Sequence, residues 1–356
     1  MKRIDIYIIK KFLGTFFFIL FLLMLIASVF DISERLDDFV RTKPSFLIIL
    51  TDYYQNFVYF YANVFSFLIV FISVIFFTSK MAQNSEVIAM LSSGVSFNRF
   101  LRPYFIGASL LVVISLYSNH FVLPHSNKKF IQFHEKYIWN RSASSNVHRE
   151  MEPGVIAYFY SNAYGYMENF WLEKWDGQKL VSVMYADSAG ADSVTNRWRL
   201  RNYFIRYINQ DKENDRIRKG NRLDTALHFK PGDFGKRFEY ASSMTSAELR
   251  EYIKREKDKG NEEVEAFEIE LHQRTAYPIS TYMLTLIAVC VACRKTRGGR
   301  GVHLAIGLIV AVCYIFCMKV ASVAATNVGL NTALAVWLPN ILFFGIALLF
   351  YRWARR

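Results

Sequence analysis

The chain has 356 residues, of which 53% are hydrophobic and 17% aromatic, and its formal net charge is +13. Together with a mean hydropathy of +0.16, this composition favours a membrane protein with a sizeable polar part over a soluble one. The positive charge is concentrated at the ends of apolar runs, so it gives no reason to expect a nucleic-acid partner.

Six apolar runs are long enough to cross a membrane, since a helix of about 20 residues spans the roughly 30 Å hydrocarbon core. They are predicted at residues 12–30, 57–77, 104–123, 277–292, 303–321 and 333–351. The first run follows a basic N-terminus, but no small-residue cleavage site precedes the acidic residues after it. We therefore interpret this run as a retained anchor rather than a signal peptide.

The charges between the spans predict orientation, because Lys and Arg in short loops stay on the cytoplasmic side. Four basic clusters fall on one side of the six spans: Lys2, Arg3, Lys10 and Lys11; Lys80, Arg99 and Arg102; Arg294, Lys295, Arg297 and Arg300; and Arg352, Arg355 and Arg356. The connections on the other side are rich in acids at residues 31–52 and uncharged at residues 322–335. We expect both termini in the cytoplasm.

The polar tract at residues 125–272 is too long for a loop, and we expect it to form a domain on the opposite side. Its pattern predicts mainly strands. Asp176-Gly177 is a two-residue hairpin signal, and further turns are predicted at residues 152–154 and 231–233. A small antiparallel sandwich or open barrel is predicted. Charged helices at residues 245–259 and 262–272 lead back to the spans. The predicted domains are therefore residues 1–124, 125–272 and 273–356.

Motifs for catalysis, metal binding or nucleotide binding are not found. All four cysteines, Cys290, Cys293, Cys313 and Cys317, fall in the fourth and fifth spans, where small packing residues are a commoner role than a metal or redox pair. The sequence contains no HExxH and no GxSxG motif, and the glycines at residues 298–301 lack the Gly-Lys-Ser/Thr ending of a phosphate loop. We expect no catalytic site, metal or cofactor in this chain, and an external source of energy for any transport.

A short punctuated segment, SEVIAMLSSGVSFNRFLRP, lies between the second and third spans. Asn84 or Ser85 is predicted to cap a helix with Glu86 in its first turn, Gly94 to end it in a left-handed conformation, and Ser96 to cap the next helix. The apolar face of the short helix contains Val87, Ile88 and Leu91. This pattern fits either an ordinary amphipathic loop helix or a coupling helix that sits in a groove of a cytoplasmic partner.

The segment is similar to the cytoplasmic segment of the LptF/LptG family of lipopolysaccharide-export permeases. A Ser-Glu, a Met, a Gly-x-Ser and a terminal Pro recur there in the order of Ser85, Glu86, Met90, Gly94, Ser96 and Pro103. The layout of three spans, an outer domain, a charged stretch at residues 244–261 and three more spans also resembles that family.

This resemblance implies a six-helix membrane bundle with a periplasmic β-jellyroll-like domain inserted between helices three and four, in the bacterial inner membrane. It also implies several partners: a paralogous permease subunit that completes a heterodimer, an LptB-like cytoplasmic ATPase dimer that holds ATP and Mg, an LptC-like single-span partner, an LptA-like periplasmic bridge protein, and lipopolysaccharide itself. The sequence does not say which of the two paralogous subunits the chain is.

The resemblance further implies a coupling helix at residues 84–94 that binds the ATPase through Ser85, Glu86, Val87, Met90, Leu91 and Gly94. Glu86 is expected to pair there with a basic residue of the ATPase. Family members can carry basic residues for the lipid phosphates at the outer end of span one. Here that place begins with an acid, so the basic candidates are Arg35, Arg41 and Lys43.

Lys319 is a further lipid-binding candidate, because it is the only lysine or arginine inside the six apolar runs. The fifth span lines the lateral gate in the family that the chain resembles. A lysine near mid-bilayer costs about 2.5–3.5 kcal/mol, although close to the outer end its ammonium group reaches water by snorkelling. Phosphate contact and simple snorkelling both remain open.

We therefore predict a permease subunit of an ABC transporter that extracts lipopolysaccharide from the inner membrane and passes it to a periplasmic bridge toward the outer membrane. One alternative is a membrane-anchored envelope assembly scaffold without transport activity, and co-purification of an ATPase would count against it. Another is an intramembrane enzyme acting on lipids, which would keep its activity without ATP.

Overall fold

A computed structural model describes residues 3–138, 145–163, 166–191, 197–208, 215–227, 238–258, 264–295 and 299–355. The chain forms two compact units: a helical unit of Met1–Ile131 with Ala241–Arg356, and a unit of Gln132–Tyr240 that contains a β-sheet. The predicted fold class, a helical membrane bundle with a β domain inserted between the third and fourth spans, is confirmed.

Eleven α-helices are described: α1 Arg3–Thr42, α2 Phe46–Ile48, α3 Gln55–Val64, α4 Ser66–Gln83, α5 Glu86–Ser92, α6 Phe97–Tyr117, α7 Leu123–Phe133, α8 Ser246–Asp258, α9 Val264–Ala292, α10 Gly299–Val328 and α11 Thr332–Arg355. π-Helical turns occur at Ile49–Tyr54, Ser118–Val122 and His134–Ile138, and a 3-10 helix at Phe238–Ser243. Six helical segments within these residues are long and apolar enough to cross a membrane.

The first span is longer than the sequence predicted. Residues 31–42, expected to lie in a connection, continue α1 as a helix. No Pro or Gly interrupts them, and Asp38 lies within ion-pair distance of both Arg35 and Arg41 on successive turns. The helix ends where Lys43 adopts a left-handed φ of 48° immediately before Pro44.

The second and third spans also differ from their predicted bounds. The predicted run at residues 57–77 is broken at Phe65, and the membrane-capable helix is α4. The helix of span three continues beyond its predicted end at residue 123, because α6 passes through the π-helical turn Ser118–Val122 into α7. That turn ends two residues before Pro124, whose missing N–H would otherwise interrupt a regular helix.

The inserted unit is correspondingly shorter than the predicted domain of residues 125–272. Both flanks belong to the bundle unit and are mainly helical in their described residues, where buried polar contacts hold them. Arg274, only 4% exposed, donates from Nη2 to the Ala241 carbonyl at 2.8 Å and from Nη1 to Ser246 Oγ at 3.2 Å. Asn127 Nδ2 donates to the Ser242 carbonyl at 3.2 Å. The predicted helix at residues 262–272 is the start of α9.

The helical bundle is built around α4 and α9. Buried residues make up 67% of the apolar window of α4 and 78% of that of α9, against 17% for α1, 28% for α10 and 33% for α11. The last three helices are therefore peripheral, and most of their apolar side chains face outward. Both α1 and α10 pack on α4, where Phe12 stacks on Phe77 and Gly307 contacts Ile75.

The β domain contains one described sheet of six antiparallel strands: β1 Ser145–Glu152, β2 Val155–Ala163, β3 Tyr166–Asp176, β4 Lys179–Ala191, β5 Trp198–Tyr207 and β6 Arg216–Thr225. Each strand pairs with the next along the chain, so the strand order, which the sequence did not determine, is a meander. One face of the sheet carries a buried apolar cluster that includes Phe159, Phe170, Trp198 and Leu200.

Two of the predicted turns are confirmed. The β3–β4 hairpin forms where Asp176-Gly177 predicted it, although the two turn residues are Gly177 and Gln178. Gly177 has a φ of +60° at the first turn position, as in a type II′ turn. Gly154, with a φ of +75°, completes the turn between β1 and β2. The predicted turn at residues 231–233 lies outside the described residues.

A bend crosses the sheet without disturbing its apolar face. Asn169 and Asn202 have left-handed φ values of 52° and 49°, and both align with Asp187 on β4 between them. Asn202 Nδ2 donates to the Asp187 carboxylate at 2.9 Å. At this level each of these three strands switches between odd- and even-numbered residues on its buried side. Because the neighbouring strands switch together, the same face of the sheet stays apolar on both sides of the bend.

Candidate functional site

The short helix α5 begins with an unusual backbone. Ser85 occupies the N-cap position, but its φ is 62° and its side chain makes no capping hydrogen bond, so the predicted Asn84 or Ser85 cap is wrong. The Asn84 amide instead donates to the Glu86 carboxylate at 3.3 Å. The other two signals are confirmed: Gly94 ends the helix with a φ of +87°, and Ser96 Oγ accepts from the Arg99 backbone N–H at 3.3 Å.

The predicted apolar face of α5 divides between two environments. Val87 is fully buried in the core of the bundle, and Met90 and Leu91 pack against the same core. Ile88 is 48% exposed and Ala89 is also exposed. The inner side chains therefore fix α5 to the bundle, and the exposed apolar surface of α5 centres on Ile88 and Ala89.

The Glu86 carboxylate is engaged within the chain. Tyr7 Oη of α1 donates to Glu86 Oε2 at 2.8 Å, and Lys11 Nζ lies 3.6 Å from the same oxygen. Asn84 donates to the other oxygen. Burial raises the pKa of Glu86, but the hydrogen bonds from Tyr7 and Asn84 and the charge of Lys11 outweigh it, so the pKa lies below its ordinary value. Glu86 is therefore a carboxylate at neutral pH.

A second ion pair joins the same part of α1 to the start of α6. Arg99 Nη2 donates to Asp5 Oδ2 at 2.7 Å, and only 7% of the Asp5 side chain is exposed. A buried carboxylate requires such a partner, because an unpaired charge at this depth is costly. No sequence signal identifies Asp5, Tyr7 or Lys11 as partners of this segment.

The basic candidates near the far end of α1 have acidic neighbours. Arg35 Nη1 lies 3.9 Å from Asp38 Oδ2, and Arg41 Nη2 donates to Asp38 Oδ1 at 3.3 Å. Lys43 is exposed just after the helix and has no carboxylate within 4 Å among the described residues. Of these three side chains, Arg35 and Arg41 are in contact with Asp38 and Lys43 is not.

Asp31, which the sequence placed at the start of a connection, is held by two adjacent tyrosines. Tyr53 Oη donates to Asp31 Oδ1 at 3.0 Å and Tyr54 Oη to Oδ2 at 3.1 Å. Both tyrosines lie at the end of the π-helical turn Ile49–Tyr54, and their two consecutive side chains bind one carboxylate. The Tyr-Tyr pair is visible in the sequence, but its partner is not.

Lys319 lies on the outward face of α10. Its side chain is exposed, and its neighbours on that face, Val312, Phe316 and Val323, are between 55% and 67% exposed. Within the described parts of the chain, no carboxylate approaches its ammonium group to 4 Å. An unpaired cation on an otherwise apolar helix face is the arrangement expected for contact with an anionic group or an interface.

Two of the four cysteines, Cys290 and Cys293, contribute to packing, whereas Cys313 is exposed and Cys317 is partly buried. Cys290 and Cys293 are buried in the bundle core, and the Cys293 thiol donates to the Cys290 carbonyl one turn earlier at 3.4 Å. In the ranges that the structure describes, no three His, Cys, Asp or Glu side chains lie together as a metal site would require.

Comparison with curated proteins finds no match. A family model described as lipopolysaccharide export system permease LptF/LptG matches residues 6–353, which is essentially the whole chain. The match includes α5, the inserted β domain and all six apolar helices. The chain therefore belongs to the LptF/LptG family of lipopolysaccharide export system permeases.

Proposed function

We propose that the chain is one permease subunit of an ABC transporter that extracts lipopolysaccharide from the inner membrane and delivers it to a periplasmic bridge toward the outer membrane. A paralogous permease completes the heterodimer, and a cytoplasmic ATPase dimer supplies the energy with its own ATP and Mg. A single-span protein and a periplasmic bridge protein receive the lipid. Both termini and α5 face the cytoplasm, as the basic clusters on that side favour.

The contact with the ATPase is proposed to be made by α5. Ile88 and Ala89 form an exposed apolar surface on a helix that Val87 fixes to the bundle. An amphipathic helix that lays exposed apolar side chains into a groove is a common mode of recognition between proteins. Ser85, Met90, Leu91 and Gly94 shape and support this helix rather than extend its exposed apolar surface.

The lipid contact is proposed to be made by the outward faces of α1 and α10. Both helices pack on α4 and leave most of their apolar side chains unpacked, as acyl chains require. Lys319 on α10 is the observation that carries this assignment, because its unpaired ammonium group lies among exposed apolar side chains. We propose that Lys319 binds a phosphate of the lipid. We propose a second basic site for the lipid phosphates at Lys43, with Arg35 and Arg41 as less direct contributors.

The test is the amount of lipopolysaccharide that co-purifies with the complex at equal protein yield. Lys319→Arg should retain most of the lipid, since a phosphate requires a cation more than a particular geometry. Lys319→Leu should lose lipid, and Lys319→Glu should lose more. A lysine that only snorkels predicts unchanged lipid in Lys319→Leu, since the helix then becomes easier to bury. Unchanged lipid in both Lys319→Leu and Lys319→Glu would contradict the phosphate contact.

The β domain is proposed to carry the acyl chains along its apolar face. Ser182 and Met184 on β4 lie on the buried side of the sheet, whereas the side chains of Val181 and Val183 lie on the other side. Photo-crosslinkers at positions 182 and 184 should capture lipid during export, and those at 181 and 183 should not. Equal capture on both sides, or none on either, would contradict a conduit.

A further inference from the structure

A row of aromatic side chains crosses the outer face of the β-sheet, the face opposite its buried apolar cluster. We call this set the aromatic row; its members occupy directly paired positions on successive strands from β1 to β6: His148, Tyr158, Trp171, Tyr185, Phe204 and Lys219. Because neighbouring strands lie about 4.8 Å apart, the row is roughly 24 Å long. Its four central rings are half-buried, and both of its ends are exposed.

The rings of the row form a continuous surface rather than isolated pairs. Trp171 and Tyr185 meet edge to face with ring centroids 4.9 Å apart, and the centroids of Tyr185 and Phe204 are 5.5 Å apart. His148 extends this surface onto β1, where its ring lies 6.2 Å from that of Tyr158. Cross-strand aromatic pairs stabilise a sheet by themselves, but a row across every described strand also provides an extended surface for a ligand.

A cavity opens beside the row at its β1 end. Its volume is about 340 Å³, and it is lined by His148, Ile156, Tyr158, Trp171 and Glu173. Trp175 Nε1 donates to Glu173 Oε2 at 3.0 Å and holds the carboxylate in the wall of the cavity. Aromatic walls with a few fixed polar groups are typical of sites for small ligands.

The β6 end of the row is basic. Lys219 lies directly opposite Phe204, and Arg201 lies directly opposite Arg222. Like charges in such positions are destabilising, and an anion between them removes the repulsion. Asp224 pairs with Arg222 at 3.0 Å, but in the described chain neither Arg201 nor Lys219 has a carboxylate within 4 Å. This end of the row therefore favours an anionic group on the ligand.

We propose that the aromatic row binds the glycan strands of the cell wall. A sugar ring has C–H groups on its faces, which pack on aromatic rings, and hydroxyl groups on its rim, which hydrogen-bond to carboxylates, imidazoles and phenols. Trp171, Glu173 and His148 provide both kinds of partner in one cavity. An acyl chain would cover the rings but take the Glu173 carboxylate out of water without a hydrogen bond.

The source of the glycan follows from the two faces of the sheet. The apolar face is assigned to the acyl chains of the exported lipid, so a saccharide on the opposite face belongs to another molecule. The inference rests on the proposed orientation, in which the β domain is periplasmic and therefore lies beside the cell wall. Cell-wall strands carry peptides with carboxylate groups, which complement the positive charge of Arg201 and Lys219.

The test measures how the full-length chain in detergent binds purified cell-wall glycan. Co-sedimentation with insoluble cell walls detects binding, and calorimetry with soluble glycan fragments gives the affinities. Trp171→Ala and Phe204→Leu remove rings from the row. Tyr207→Ala is the matched control, since Tyr207 is 43% exposed and is paired with Ser182, which lies on the buried side of the sheet.

The charge of the β6 end is tested separately with glycan fragments that retain their peptides and fragments that have lost them. Lys219→Glu should weaken the binding of peptide-bearing fragments and leave that of peptide-free fragments unchanged. Arg218→Glu is the matched control, because Arg218 is exposed at the preceding position and its side chain lies on the other face of the strand. It should change the binding of neither kind of fragment.

The unmodified chain should sediment with cell walls. Each ring variant should bind glycan about tenfold more weakly, the loss typical of an aromatic anchor at an interface, and Tyr207→Ala should bind as before. Phe204→Leu and Lys219→Glu keep the test decisive if Trp171→Ala fails to fold.

Absence of sedimentation with cell walls, or equal affinities of the row variants and their controls, would overturn the inference. Tighter binding of the oligosaccharide of lipopolysaccharide than of cell-wall fragments would also overturn it, by assigning the row to the exported lipid. Loss of a co-purifying protein in Trp171→Ala without glycan binding would identify a protein-docking face and overturn it too. The binding assay contains neither ATP nor the exported lipid, so its failure is distinct from a failure of the proposed function.

Discussion

The contact between α1 and α6 depends on a glycine. A Cβ atom added at Gly107 would lie 2.5 Å from Cδ1 and 2.8 Å from Cε1 of Phe12. The Phe12 ring is fully buried and stacks on Phe77 with centroids 5.8 Å apart, so it has no free space to move into. Since carbon atoms pack at about 3.5–4.0 Å, Gly107→Ala requires a shift of roughly 1 Å between α1 and α6.

The magnitude follows from two opposing effects. Overpacking a core typically costs about 1–3 kcal/mol, whereas Gly→Ala inside a helix stabilises it by roughly 0.5–1 kcal/mol. Gly14→Ala on α1 is the matched control, because nothing lies within 4 Å of a Cβ atom there and only the favourable effect remains. The two variants should therefore differ by about 1–3 kcal/mol in the free energy of unfolding.

Thermal unfolding of both variants in the same detergent measures this difference. For a unit of about 250 residues, 1 kcal/mol corresponds to roughly 2–4 °C, so Gly107→Ala should unfold about 2–12 °C below Gly14→Ala. The lipid release of Gly107→Ala should change as well, because α1 is displaced from α6. Equal midpoints for the two variants, or a higher midpoint for Gly107→Ala, would refute this account of how α1 is held.

Three further predictions concern the β domain, the flank of the bundle and the short helix. Gly154→Ala should destabilise the β domain more than Gly177→Ala in proteolysis assays. Both glycines have a positive φ, but only at Gly154 would an added Cβ atom clash with the Trp175 carbonyl oxygen. Arg274→Lys should increase hydrogen exchange at residues 241–246, since a lysine cannot reproduce the separate donors of the guanidinium group; unchanged exchange would contradict the anchoring role. Because the pKa of Glu86 is lowered in the folded chain, its contacts stabilise the protein above the ordinary pKa of a glutamate and cease to do so as the pH falls through the lowered value. The difference in unfolding midpoint between the unmodified protein and Glu86→Gln should therefore be present at pH 7 and shrink as the pH falls below the ordinary pKa of a glutamate. A difference that is independent of pH in this acidic range would contradict the assigned contacts.

The features that the sequence predicted correctly depend on local signals. Hydropathy alone indicates six spans, because each span must be apolar over its own length. The Asp176-Gly177 hairpin and the Gly94 helix end follow from glycine's access to a positive φ. The end of α1 was mistaken because charged residues resemble a loop, whereas here they pair along the helix surface and continue it.

The features that the sequence did not predict depend on contacts between distant residues. Tyr7 and Glu86 are 79 positions apart, and Tyr53 and Asp31 are 22 positions apart. Neither pair has a periodic pattern, so neither contact could be predicted from the sequence. Burial on one side of α5 also depends on the whole bundle, and for this reason Val87 could not be distinguished from Ile88.

The central claim is that this permease uses the ATPase of a partner to extract lipopolysaccharide from the membrane. The most direct measurement is the release of lipopolysaccharide from proteoliposomes that contain the complete complex, followed with ATP and with a non-hydrolysable analogue. Release should require ATP hydrolysis and should fall when Ile88→Asp disrupts the exposed surface of α5. Release at the same rate with the analogue, or unchanged release by Ile88→Asp, would contradict the account.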